Sequence, residues 1–129
     1  MTIRRLNPDT LHRIPDRITQ VVVSGPFAFV SGQVAWDADG SIVGTTHREQ
    51  TEQISRNLQH ILDELGVGAE AVVSETIFVV GHTPELSAVI VPTLRANGAP
   101  PPASTYIGVE SLYAPEVLVE VNAVISLDG

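Results

Sequence analysis

The apolar and polar positions divide the chain into short strands and two helices. Val21 to Val23 and Phe27 to Val34 are β-rich runs on either side of Ser24-Gly25-Pro26, which predicts a hairpin. Asp37-Ala38-Asp39-Gly40 predicts a second turn, because Asp supplies local hydrogen bonds and Gly tolerates positive φ, with Ser41 to Val43 returning as a short strand. Over residues 46–65 the period lengthens. Ile54, Leu58, Ile61, Leu62 and Leu65 form one helical stripe, Glu49, Glu52, Arg56, Gln59 and Asp63 take the wet side, and Gly66 sits where a C-cap glycine belongs. Residues 71–80 return to strand character. Thr83-Pro84-Glu85 predicts the start of a second helix carrying Leu86, Val89, Ile90 and Leu94, with Pro92 kinking or shortening it and Asn97-Gly98 ending it. Ala99 to Pro102 is a stiff extended connection, and strands follow at about 103–109 and 117–127. Residues 1–17 read as an edge strand or arm. The order, hairpin then α, β, α, β, β, predicts an α+β sheet with two helices packed on one face.

Composition narrows the chemistry. All seven basic residues are arginine, and there is no lysine and no cysteine. That excludes a Schiff-base lysine, a Walker-type phosphate loop, disulfides, a thiolate nucleophile and zinc–sulfur sites. At 129 residues the expectation is one domain spanning 1–129, with little depth for an enclosed pocket, so a site between subunits is one option. A formal charge of −8 argues against nucleic acid as partner. There is neither a secretory apolar core at the N-terminus nor a membrane-length apolar run, so a cytoplasmic protein with no membrane partner is expected. The four histidines (12, 47, 60 and 82) make no HxH or HxxxH pair, so no metal site is predicted.

The last strand carries the clearest candidate. Val117, Val119, Val121, Ala123 and Ile125 make one apolar face, and Leu118, Glu120, Asn122, Val124 and Ser126 make the other. A carboxylate in the middle of such a strand is either a buried acid/base with a raised pKa or a glutamate facing solvent from an open sheet. Ser104-Thr105-Tyr106 opens the preceding strand, either as hydroxyl donors at a cleft edge or as a polar strand start. Ser31-Gly32-Gln33 interrupts an apolar strand, and glycine there suggests a bulge, which is either structural or placed beside a site. Trp36 reads as packing at the hairpin turn.

Val30-Ser31-Gly32-Gln33, Gln50-Thr51, Asn57-Leu58, Val72 to Val80, Pro102-Ala103-Ser104-Thr105 and Val119-Glu120-Val121-Asn122-Ala123-Val124, in this order and spacing, resemble the RidA/YjgF family over about residues 18–127. The resemblance implies a chorismate-mutase-like fold and a homotrimer with small-molecule clefts between subunits. It implies cofactor-free hydrolysis of enamines or imines, with an arginine gripping the substrate carboxylate and a glutamate handling water. The glutamate of that pattern falls on Glu120 and its SGQ serine on Ser31. The arginine falls on Ser104, the cysteine on Tyr106, the tyrosine on Ile18 and the asparagine near Ser87. A serine hydroxyl cannot replace a bidentate charged contact, so ordinary 2-imino acid deamination is expected to be weak or absent. Arg17, beside Ile18, and Arg95 from a neighbouring subunit are the candidates to restore a cation. Three function classes follow: a cofactor-free hydrolase or deaminase using Glu120, a non-catalytic metabolite-binding trimer lined by Ser104, Thr105 and Tyr106, and a chaperone-like interaction protein.

Overall fold

Thr46 opens the long helix because its side chain accepts from the Glu49 amide, while Glu49 Oε1 accepts from the Thr45 amide at 3.0 Å. Thr-x-x-Glu thus satisfies two backbone donors that the first turn cannot pair. This backbone contact is the main cause holding the Glu49 carboxyl below its ordinary range. The helix, α1, spans His47–Leu65 and stops at Gly66, whose φ of 72° is a left-handed conformation that suits glycine. The second helix, α2, spans Pro84–Leu94 behind the Thr83 cap. Pro92 lacks an amide hydrogen for the bond to Ala88, and the helix ends two residues later. α2 has 11 residues against 19 for α1, so it covers only part of the sheet that α1 crosses.

The computed structural model describes residues 2–14 and 16–128. Its strands are β1 (Arg4–Leu6), β2 (Val21–Ser24), β3 (Phe27–Gln33), β4 (Val72–Val80), β5 (Ala103–Val109) and β6 (Val119–Ser126). They form one sheet in the order β1-β2-β3-β6-β4-β5. Only β4 and β5 run parallel, joined through α2, and all other pairs are antiparallel. The α+β expectation holds, with both helices on one face of a mixed sheet. The expected strand at Ser41 to Val43 does not form: Ile42 makes a single bridge to Trp36, because the Asp37–Gly40 turn returns the chain only briefly.

The last strand in sequence is central in space, inserted between β3 and β4. Val119, Val121, Ala123 and Ile125 are buried beneath the helices with Val21, Val30, Ile77, Val79, Ile54 and Ile61. The α1 stripe is as predicted, but the start of the helix also buries Gln50, Thr51 and Asn57. Gln50 accepts from the Leu118 amide and donates to the Glu116 carbonyl at 2.8 Å, while Asn57 donates to the carbonyls of Val34 and Trp36. These amides satisfy loop backbone that would otherwise be buried without partners. Among the described residues no helix covers the opposite sheet face, which leaves Phe27, Phe29 and Ile107 exposed at 40%, 48% and 38%.

Candidate functional site

Glu120 lies on that helix-free face, in register with Phe78 of β4. Its other neighbour is the bulge in β3. Val30 pairs with Ala123 and Gln33 with Val121, so Ser31 and Gly32 together oppose Asn122. One extra residue bends the strand and re-aims what it carries. The bulge brings the Gly32 backbone under the Glu120 carboxylate: a Cβ there would fall 2.2 Å from Oε2. Only glycine leaves the carboxylate where it is. Burial alone pushes the Glu120 carboxyl above its ordinary range.

The N-terminal arm clamps the bulge. The Ser31 hydroxyl donates to the Thr19 carbonyl and the Ser31 amide to the Gln20 carbonyl. Gln33 donates to the Gln20 side chain at 2.7 Å, and Gln20 donates to the His12 carbonyl at 2.8 Å. Two buried amides therefore tie residues 12–20 to the strand that carries Gly32. Ile18 sits exposed on this arm. Trp36 does more than pack the turn: its indole donates to the Tyr113 hydroxyl at 2.6 Å and meets the His12 ring edge-on at 4.7 Å.

Ser104 and Tyr106 point the other way. They lie on β5 opposite Glu75 and Ile77, on the helix side of the sheet at its free edge. Ser104 Oγ donates to Glu75 Oε2 at 2.7 Å. Arg95, just past α2, grips both Glu75 oxygens, with Nη1 at 3.0 Å from Oε1 and Nη2 on Oε2. The Tyr106 hydroxyl meets His82 Nδ1 at 3.1 Å, and burial pushes its pKa up. Ser87, in the first turns of α2, donates to the Pro84 carbonyl. Below Arg95, a cavity of about 50 Å³ lies between α1, the end of α2 and the 99–102 connection, where the short α2 leaves the sheet uncovered.

One chain therefore splits the predicted set. Glu120, Ser31 and Gly32 meet at the bulge. Thr105 shares the Glu120 face but stands two strands away, roughly 10 Å. Ser104, Tyr106 and Ser87 lie on the helix side, across the sheet from Glu120. Arg95 does not offer a spare cation, because its own chain's Glu75 holds it, and Arg17 is left exposed beside Ile18. Among the described residues no His, Cys, Asp and Glu cluster could hold a metal ion. Glu75 and the contact of His82 with Tyr106 carry no sequence expectation, and Arg95, expected as a spare cation, is taken up by Glu75. Glu75 shows the same signal as Glu120, an acid inside an apolar strand.

The endoribonuclease L-PSP family model matches residues 12–126. A RutC family protein of Pyrococcus abyssi (strain GE5 / Orsay) is 36% identical over 61 residues, which is 46% of this chain and 48% of that protein, so the match spans about half the relative's length. A Yersinia pestis structure of the conserved Rid protein family, YyfB, is 35% identical over 98% of this chain and 99% of its own, with a TM-score of 0.73. RidA from the Antarctic bacterium Psychrobacter sp. PAMC 21119 shares the fold, with a TM-score of 0.83 at 22% identity over 95% of this chain and 98% of its own. Among the described residues no helix is long and apolar enough to cross a membrane. The family match over residues 12–126 and the 35% identity to a Rid-family structure along almost the whole chain agree: this chain belongs to the endoribonuclease L-PSP family, the group of the Rid proteins.

Proposed function

We propose that the protein is a cytoplasmic homotrimer with small-molecule clefts between subunits, and that Glu120 activates water there without a cofactor. The observation that carries this reading is the Glu120 carboxylate, half-buried over Gly32 with its pKa raised by burial and no compensating partner charge. A carboxyl in that state exchanges protons more readily near neutral pH than an ordinary one. The exposed Phe27, Phe29 and Ile107 favour burial against another copy. Packing of copies is also what would bring Glu120 of one chain towards Ser104, Thr105, Tyr106 and Ser87 of the next, with Ser31 and Ile18 beside it. The net charge of −8 supports a small molecule over nucleic acid as ligand.

The reaction is hydrolysis of an enamine- or imine-like bond. The water oxygen bonds to the imine carbon, the C=N π pair moves to nitrogen, and Glu120 takes the water proton. Glu120 returns that proton to nitrogen to give a carbinolamine, then takes the hydroxyl proton and passes it to nitrogen as the C–N bond breaks, so that a carbonyl compound and an amine or ammonia leave and the carboxylate is restored. A non-catalytic metabolite-binding role is favoured by one observation: Arg95 is committed to Glu75 and gives the substrate no anchor.

The test has two parts. Light scattering should give three times the 13.8 kDa chain mass, and a monomer sinks the shared cleft. Imines generated in situ by an amino-acid oxidase should be hydrolysed weakly when they carry a carboxylate and faster when they are uncharged. Glu120→Gln should remove any acceleration, by about 10²-fold or more. Retention of full activity in that variant leaves a different catalytic group, and no acceleration by the wild type leaves the binding-only role.

A further inference from the structure

The Ser104 strip carries a charge arrangement that the proposed cleft does not by itself explain. Ser104 is exposed, yet its hydroxyl is spent on a carboxylate directly behind it. That carboxylate, Glu75, is 5% exposed, and its guanidinium partner Arg95 is 21% exposed. Both ends of the Arg95 fork are used on Glu75 oxygens. A ligand reaching Ser104 therefore meets Glu75 Oε2 at 2.7 Å from the hydroxyl it would contact, with the nearest cation already neutralised.

We propose that Glu75 is the specificity-determining residue of the cleft: by holding Arg95 and facing Ser104, it turns away carboxylate-bearing ligands and admits uncharged ones with a hydrogen-bonding carbonyl, amide or imine head. The inference rests on the reading of Ser104 and Tyr106 as cleft residues. The physical reason is the sign and depth of the charge. An anion placed at Ser104 meets the carboxylate end of the ion pair, at Glu75 Oε2, whereas a neutral head incurs no like-charge repulsion there. A guanidinium is the natural bidentate partner of a carboxylate, and here an internal carboxylate occupies it. Tyr106 extends the strip with a half-buried ring whose hydroxyl is shared with His82, which suits a neutral, flat ligand.

Removing the Glu75 charge should turn Arg95 from an occupied cation into an available one. Benzamide and benzoate, matched in shape and different in charge, are titrated into the assembled protein by calorimetry. The wild type should bind benzamide at least about tenfold more tightly than benzoate. Glu75→Gln should reverse that preference, because the Arg95 fork is released beside Ser104. The double variant Glu75→Gln/Arg95→Gln removes the ion pair as a unit, which proteins tolerate well, and should bring the two probes close to parity. Equal binding of both probes by the wild type overturns the proposal, as does binding of neither. An unchanged preference in the double variant also overturns it, even where the single variant does not fold. Failure of the cleft reading shows up separately, as a monomeric mass in light scattering, whatever the probe ratios are.

Discussion

Glu75 and Glu120 stand on neighbouring strands of one sheet and face opposite sides of it. Glu75 is the deeper of the two, yet it is fully engaged by Arg95 and Ser104. Glu120 is shallower, lies over a glycine backbone, and is pushed towards its neutral form by burial alone. Depth is therefore a poor guide to reactivity in this fold. A buried acid whose oxygens are taken by a guanidinium and a hydroxyl has no free oxygen to offer a ligand, whereas a half-buried acid without such partners keeps its carboxylate open to one.

The largest expected effect falls on the paired side. Arg95→Gln leaves a carboxylate buried without its cation and should cost about 3 kcal/mol in urea denaturation, with Glu75→Gln added to it recovering most of the loss. A single variant within about 0.5 kcal/mol of wild type would show that Glu75 is not held by that pair.

Gly32→Ala tests the other side. The clash is with the far end of the flexible Glu120 side chain, so stability should change by less than about 1 kcal/mol. The displaced carboxylate should nonetheless lose roughly tenfold or more in turnover of an uncharged imine, about 1.4 kcal/mol of barrier. Loss of stability with activity intact would reduce the bulge to a structural role.

The smallest effect is a pH dependence. Glu120 has a raised pKa in the folded chain, so between the ordinary carboxylate range and that raised value the folded state binds more protons than the unfolded one. Stability must then fall as pH rises through this window, and ionised Glu120 is a net cost above it. Glu120→Gln should be more stable than wild type at neutral pH, with the advantage vanishing below roughly pH 4. A constant difference across that range would mean that burial does not perturb the group.

Much of this comparison was legible in the residues. The stripe from Ile54 to Leu65, the Thr83-Pro84 helix start and the alternation from Val117 to Ile125 all reappear in place, because side-chain period reports which positions share a face. The glycine in Ser31-Gly32-Gln33 marked a real bulge. The polar residues of α1 were less legible, since Gln50 and Asn57 are buried only to serve loop carbonyls and amides distant in sequence. The pairing of Arg95 with Glu75 was hidden for the same reason: 20 residues and a helix separate them, and no local period links them.

The sequence by itself determined the elements, their order, the apolar side of each and the candidate Glu120, because these follow from local periodicity and residue chemistry. Only the tertiary structure decided that the last strand is central, that Glu120 and Ser104 lie on opposite faces, and that Arg95 is occupied. Those facts depend on strand order and on register between distant segments. An alternating strand fixes two faces, and only its neighbours decide which of them each functional group comes to occupy.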